Sequence, residues 1–131
     1  MEVLLSFDEA HRILYIRFEG TLTDKVLLGG YTRVRQWMNV HGPCSSISDF
    51  SDVTSFNVSS QGVRLLAAQP PLVPDGFLRL VVAPLDLMYG MTRMFESFGS
   101  ETRDKVDIVR SLAEAYQLAG VESLDLQSII S

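Results

Sequence analysis

Strands and helices alternate along this chain after an opening pair of strands, and this order restricts the folds open to it. The segments "EVLLSF" and "RILYIRFEG" are rich in β-branched and aromatic residues and flank the turn-like "DEAH", which predicts an antiparallel hairpin. The second segment is largely apolar on both faces, so it is expected inside a sheet rather than at its edge. Strict strand–helix alternation beyond the hairpin requires right-handed crossovers and parallel pairing.

The first predicted helix follows the hairpin directly. Thr23 is its expected N-cap, apolar residues then recur at helical spacing, and "HGP" at 41–43 ends it. Gly29 and Gly30 lie inside this helix. Because each glycine costs about 1 kcal/mol relative to alanine, we expect them to allow close packing against the sheet.

The rest of the chain continues the alternation. Further strands are predicted in "CSSISDF", "FLRLVVA" and "KVDIV". Further helices are predicted in "QGVRLLAAQ", "LMYGMTRMFESFG" and "LAEAYQLA", with N-caps at Ser59 or Ser60, at Asp86 and at Ser111. Residues 121–131 are predicted to add a helical turn or to fray.

The sequence therefore predicts one α/β domain over residues 1–131. It has a mixed, mostly parallel sheet of about five strands, an antiparallel N-terminal hairpin and four main helices. The strand residues that we expect to be buried are Leu14, Ile16, Phe18, Ile47, Leu80, Val82 and Ile108.

Charge and composition argue against several classes of function. The 131 residues carry a net charge of −5, and their arginines are scattered without a basic run, which disfavours a nucleic-acid binder. One cysteine and two histidines predict neither a disulfide nor a metal centre, and no cofactor is expected. The apolar runs are shorter than the roughly 20 residues of a membrane span, and the N-terminus lacks the features of a signal peptide. A cytoplasmic protein is expected.

Two segments carry a family resemblance. "DFSDVTSFNVSSQGVRLL" at 49–66 is similar to the signature of STAS domains, the anti-sigma-factor antagonists, in which Asp-Ser-Ser-Gly precedes a helix. "YGMTRMFESFGSETRDKVDIVRSLAEAYQLAG" at 89–120 resembles a group of mostly uncharacterised bacterial STAS/SEC14-like proteins. The resemblance covers nearly the whole chain. It implies a SpoIIAA-like fold and a regulatory role in protein interaction, and its SEC14-like side implies an apolar ligand or lipid.

The signature is altered where STAS domains accept phosphate. Asp49 and Gly62 fix the alignment. Asn57 then replaces the second Asp of the signature, and Val58, which has no hydroxyl, replaces the phosphorylated Ser. A shift of one residue would bring Ser59 to the acceptor position, but without its acidic neighbour. The resemblance thus implies a STAS scaffold without its switch, and the alternative is an antagonist phosphorylated on Ser59.

Two polar pairs in this region each have two interpretations. Ser59 and Ser60 can cap a helix, or a phosphoserine there could be stabilised by the helix N-terminus. Asp49 and Asp52 lie at the predicted C-terminal end of a parallel strand, where ligand sites gather in open α/β sheets. They could bind a metal or act as acid and base, or they could cap a turn.

Cys44 and His41 flank Gly42-Pro43 and could form a nucleophile–base pair. Cys44 also opens a predicted buried strand, where cysteine behaves as a small hydrophobe. Beyond these two pairs, Asp49 with Asp52 and Cys44 with His41, we recognise no nucleophile–base or metal-binding constellation. No catalytic residue is assigned, and the chain is not expected to be an enzyme.

The helix after Asp86 is apolar over more than one face. A stripe at helical spacing is predicted to pack on the sheet: Leu87, Met91, Met94 and Phe98. The other apolar residues of the helix, with Arg93 and the preceding proline-rich loop, are predicted to form a binding surface: Leu72, Val73, Met88, Tyr89, Arg93 and Phe95. The alternative is that the methionine-rich helix is core throughout.

These observations favour a non-enzymatic module that binds a protein partner or itself, with a homodimer expected. The alternative is a carrier or sensor of a small apolar ligand or lipid, for which the flexible methionines of the same helix would be suited.

Overall fold

The computed structural model describes residues 3–70, 72, 76–98 and 106–129. Its elements, in chain order, are β1 (Val3–Asp8), β2 (Ile13–Thr23), α1 (Asp24–His41), β3 (Ser45–Asn57), α2 (Ser60–Ala67), β4 (Arg79–Val82), α3 (Asp86–Phe98), β5 (Asp107–Val109), α4 (Leu112–Ala119) and β6 (Gln127–Ser128). Within these segments no helix combines the length and the apolar character needed to cross a membrane.

The strands form one six-stranded sheet in the order β5-β4-β3-β2-β1-β6. β1 pairs antiparallel with both β2 and β6, whereas the pairs β2–β3, β3–β4 and β4–β5 are parallel. The predicted α/β class, with a mostly parallel sheet, an N-terminal hairpin and four helices, is confirmed. β2 lies inside the sheet, as the apolar character of both its faces predicted.

The sixth strand lies where the sequence predicted a helical turn or a frayed tail, and that prediction is wrong for the described residues 121–129. Ser128 pairs with Ser6, and the backbone N–H of Ile129 donates to the carbonyl of Leu5. Just before this strand, the N–H of Asp125 donates to the buried carboxylate of Asp8 at 2.8 Å. The tail is therefore held by β1, whose outer edge would otherwise be unpaired.

The two faces of the sheet are covered unequally. α1, α2 and α3 pack on one face and form the main core with side chains such as Leu14, Phe18 and Phe50. α4 covers a smaller apolar cluster on the other face, around Ile47 and Ala115. Six of the seven predicted buried strand residues are confirmed, all except Ile108.

Ile108 is only partly buried. β5 is a three-residue edge strand, and the period-two alternation of a strand sends its neighbours to opposite faces. Val109, which pairs with Val82, faces the cluster under α4 and is buried in place of Ile108.

β3 is much longer than the segment 44–50 that the sequence predicted. It continues to Asn57 because its second half stays paired with β2, out to Thr23 opposite Asn57. Asp49 and Asp52 therefore lie within the strand, and the prediction that they lie at its C-terminal end is wrong.

The predicted N-caps are confirmed for three helices. The side chains of Thr23, Ser59 and Ser111 accept the first backbone N–H groups of α1, α2 and α4. Of the two glycines in α1, only Gly30 has a packing reason, since a Cβ there would lie 2.9 Å from the ring of Phe18. Gly29 faces open space, so the prediction is wrong for that residue.

Candidate functional site

α3 buries most of the apolar residues that the sequence predicted to be on its surface, and it exposes most of those predicted to pack on the sheet. Met88, Met91 and Phe95 are buried at 2, 9 and 5% exposure. Leu87, Met94 and Phe98 are exposed at 61, 37 and 43%. Both sets recur at helical spacing, so periodicity alone could not choose between them. Of the predicted core stripe, only Met91 is in the core.

The prediction of a binding surface is therefore wrong for two of its members and open for the others. Met88 and Phe95 belong to the main core. Leu72 is partly buried and packs against that core. Tyr89 is partly buried with the Arg110 guanidinium 4.3 Å from its ring centroid, and Arg93 is exposed. Val73 lies outside the described residues.

The exposed face of α3 carries polar residues, Asp86, Arg93 and Ser97, and beside them an apolar strip. The strip is formed by Leu87, Gly90, Met94 and Phe98, residues three or four positions apart. Gly90 leaves a gap in this strip, because none of the described residues comes within 4 Å of the place where its Cβ would be. Three large apolar side chains on one exposed helix face are more than the single exposed residues that need no explanation.

A groove of about 290 Å³ runs beside the apolar strip. Its walls come from the end of β3, from the start of α2 and from α3. The lining residues are Phe56, Val58, Ser59, Ser60, Val63, Asp86, Leu87, Gly90, Met91 and Met94. The structure thus brings the altered signature and the methionine-rich helix to one groove.

The signature residues occupy distinct positions around this groove. Asn57 is the exposed last residue of β3, and Val58 is partly buried against the main core. Ser59 is the N-cap of α2, and Ser60 is the first residue of that helix. The capping interpretation is confirmed for Ser59, whose Oγ accepts from the N–H of Gly62 at 3.0 Å.

Asp24, the first residue of α1, reaches across to the same helix N-terminus. Its Oδ1 accepts from the N–H of Ser59 at 2.8 Å, and its Oδ2 accepts from the Ser59 hydroxyl at 2.6 Å. The carboxylate lies so close to α2 that a Cβ at Gly62 would be 2.3 Å from Oδ1. Negative charge is stabilised at a helix N-terminus, and here a residue of the chain itself provides it.

Sequence reasoning missed this contact. Asp24 and Ser59 are 35 residues apart and belong to different elements, so no local spacing connects them. The only signal was the acidic residue directly after the Thr23 cap, which is ordinary for the first turn of a helix.

Asp49 and Asp52 are satisfied by neighbouring side chains on the sheet face that α4 partly covers. Asp49 is buried and accepts from the Tyr15 hydroxyl and from the N–H and hydroxyl of Ser51, at 2.9 and 2.6 Å. Burial and the bond to Asp49 raise the pKa of Tyr15 well above its usual value. Asp52 pairs with Arg17, with Nε and Oδ2 2.6 Å apart. Across the described segments, no three potential ligand side chains converge on a metal position.

Cys44 and His41 have different neighbours. Cys44 is buried, and burial raises the pKa of its thiol. The His41 ring stacks on Trp37, with centroids 4.5 Å apart, and its Nδ1 lies 3.0 Å from the Trp37 carbonyl oxygen. The small-hydrophobe interpretation of Cys44 fits this burial.

The core beneath the groove is closely packed. A cavity bounded by Tyr31, Phe50 and Met91 has a volume of about 20 Å³, which is room for about one water molecule. An apolar ligand larger than one water molecule does not fit this cavity.

A scan against protein-family models, a search of curated proteins and a search of solved structures each found no match to this chain. The function proposed below therefore depends on the geometry of the described residues and on the resemblance carried by the sequence.

Proposed function

We propose that this chain is a cytoplasmic, non-enzymatic, STAS-like module that binds a protein partner through the groove between α2 and α3, without a serine switch. The observation that carries this proposal is the apolar strip on α3. Leu87, Met94 and Phe98 are held in water by a helix whose opposite face is already committed to the core.

The shape of the site supports a protein partner over a small molecule. Ligand pockets usually enclose roughly 300–1,000 Å³ and surround most of the ligand, whereas this groove is open and, at about 290 Å³, just below that range. The strip runs along an exposed helix. Helices of a partner bind such surfaces by laying an apolar face into the groove.

The contact between Asp24 and Ser59 supports the absence of the switch. The Ser59 hydroxyl donates to Asp24 and accepts from Gly62, so both of its roles are used inside the fold. A phosphate on Ser59 would meet the Asp24 carboxylate, and phosphorylation beside an acidic residue is disfavoured by like-charge repulsion.

Site-specific photocrosslinking in cells of the native host tests the proposal. A photoreactive benzoylphenylalanine would replace Leu87 in the strip, and in a matched control it would replace Leu118, which is similarly exposed on α4 at 53%. We expect a crosslinked polypeptide from position 87 and not from position 118.

Two results would contradict the proposal. One is an absence of crosslinked polypeptide at position 87 when the protein is expressed and folded. The other is a bound small apolar molecule that native mass spectrometry finds in the wild type and not in Met94→Glu, because the carrier alternative would then explain the groove.

A further inference from the structure

We infer that the partner is a second copy of this chain, and that two α3 helices pack antiparallel across a two-fold axis through their apolar strips. This inference deepens the proposed function and rests on it. Three features of the strip carry it: the gap at Gly90, the spacing of the apolar residues around that gap, and the opposite charges at the two ends.

Among the described residues, nothing explains a glycine at position 90. Its φ is not left-handed, it is exposed, and no described atom lies within 4 Å of where its Cβ would be. A glycine inside a helix nevertheless costs about 1 kcal/mol relative to alanine. Gly29 is open in the same way, but Gly90 lies between the exposed apolar side chains of Leu87 and Met94. At that place close approach by another molecule accounts for the glycine, because glycine leaves room for a side chain to lie on the helix backbone.

The rest of the strip is complementary to itself when one copy is reversed. If Met94 of one copy fills the gap over Gly90 of the other, the two-fold axis makes the same contact a second time. Leu87, three residues before Gly90, then comes level with residue 97 of the other copy, about 1.5 Å along the axis from Phe98. Leu87 of each copy is therefore within one residue of Phe98 of the other along the axis, and Met94 meets the gap.

The charges at the two ends favour the same antiparallel arrangement. Asp86 is 99% exposed at the N-terminal end of the strip, and the Arg64 guanidinium lies 4.8 Å from the Phe98 ring centroid at the other end. Within one copy the two ends are about 18 Å apart along the helix. Reversal brings Asp86 of each copy beside Arg64 of the other, whereas a parallel pair would place Asp86 against Asp86.

Asp86 can make this contact without losing its own partner. Its Oδ1 lies 3.0 Å from Nη2 of Arg110, and a carboxylate has about four acceptor sites. Because each copy uses the same patch, the contact closes as a two-fold dimer and leaves no free strip from which a filament could grow.

The first test compares two glycines by sedimentation equilibrium over a concentration series. Gly90→Ala is expected to weaken dimerisation by at least about tenfold, because the added methyl fills the gap that Met94 of the other copy needs. Gly29→Ala is the matched control, since Gly29 also lies inside a helix and faces open space. It is expected to leave the dissociation constant within about twofold.

Thermal unfolding below the dimer dissociation constant separates this result from a folding defect. Both alanine variants are expected to be more heat-resistant than the wild type, because alanine is the better helix former. Gly90→Ala should thus stabilise the monomer while it weakens the dimer. A defect in folding would move both quantities in the same direction.

The second test reverses charges. Asp86→Arg and Arg64→Asp are each expected to weaken the dimer about tenfold, and the double variant is expected to bring affinity back to within about threefold of the wild type. Restoration is expected from contact between copies, because within one copy the Arg64 guanidinium lies against Phe98, at the end of the strip away from Asp86.

A wild type that stays monomeric up to about 1 mM, or a dimer that neither Gly90→Ala nor the charge reversals weaken, would overturn the inference. These outcomes are distinct from failure of the proposed function. A crosslink from position 87 to a different protein overturns the homodimer alone, and no crosslink overturns both.

Discussion

Asp24 shows how one side chain can serve two elements. It is the first residue of α1 and also accepts two hydrogen bonds from Ser59 at the start of α2. Negative charge is favourable at both helix N-termini. The carboxylate fits only because Gly62 has no side chain, so a glycine inside α2 is explained by an aspartate from another element.

Gly62→Ala is expected to destabilise the fold by about 1–3 kcal/mol, because its methyl would overlap the Asp24 carboxylate. Helix propensity alone would predict the opposite sign, a gain of about 1 kcal/mol. Urea unfolding measures the effect. In an Asp24→Ala background the same substitution should cost much less, and an unchanged cost would show that the crowding has another source.

Ser59 is expected to carry no phosphate in protein taken from the native host. The reasons are Val58 at the acceptor position of the signature and the engagement of the Ser59 hydroxyl by Asp24. Intact-mass analysis followed by peptide mapping is the measurement. Stoichiometric phosphate on Ser59 or Ser60 would restore the phosphorylated-antagonist alternative.

At the scale of the element, the two faces of α3 have different roles: one stabilises the fold, and the other forms the proposed binding surface. Its buried face packs Met88, Met91 and Phe95 between α2 and the sheet, and its exposed face carries the apolar strip. Thr92 belongs to the buried face, where its hydroxyl donates to the Met88 carbonyl at 2.9 Å. Because Thr92 is polar, the sequence did not indicate that its side of the helix is the buried one.

Two methionines of α3 provide a matched comparison. Met88→Ala is expected to destabilise the fold by about 2–5 kcal/mol, since it leaves a cavity in the core. Met94→Ala is expected to change monomer stability by no more than about 0.5 kcal/mol, because it removes an exposed side chain. Chemical unfolding of the two variants below the dimer dissociation constant tests the assignment of faces. Equal losses would contradict it.

The elements were more predictable than the site for a physical reason. Periodicity, capping residues and glycine stops are local, so they predicted four helices and five strands and three of the N-caps. The orientation of α3 was not predictable, because Leu87 and Met88 each begin a set at helical spacing. The long second half of β3 was also missed, since its polar residues are held by pairing with β2 and not by an apolar pattern.

At the scale of the whole molecule, Asp8 joins the two ends of the described chain. Its buried carboxylate accepts from the N–H of His11 in the hairpin turn and from the N–H of Asp125 before β6, both at 2.8 Å. Burial alone raises the pKa of Asp8, but these hydrogen bonds and the His11 ring together outweigh burial, so the pKa lies below its usual value.

The contribution of Asp8 to the free energy of unfolding is therefore expected to depend on pH. A carboxyl whose pKa is lower in the folded than in the unfolded state stabilises the fold fully when the pH is above its unfolded pKa, about 3.9. That contribution is lost as the pH falls through its folded pKa. Wild type should thus be more stable than Asp8→Asn near pH 7, and the difference should shrink below about pH 4.

Urea unfolding across that pH range measures the difference. Glu9→Gln is the control, since it removes an exposed carboxyl from the same turn and should shift stability by no more than about 0.5 kcal/mol. A difference between wild type and Asp8→Asn that stays constant down to pH 3 would contradict the role assigned to Asp8.

The pairing of β1 with β6 also has a consequence for the growing chain on the ribosome. Ser6 cannot pair with Ser128 until Ser128 has been synthesised. At a translation rate of roughly 5–20 residues per second, this delay is on the order of ten seconds. During that time β2 can pair with β1 and β3, while the outer backbone groups of β1 remain open to other strands. An exposed strand edge is a template for aggregation, so the nascent protein is most vulnerable at its earliest strand until its last one is synthesised.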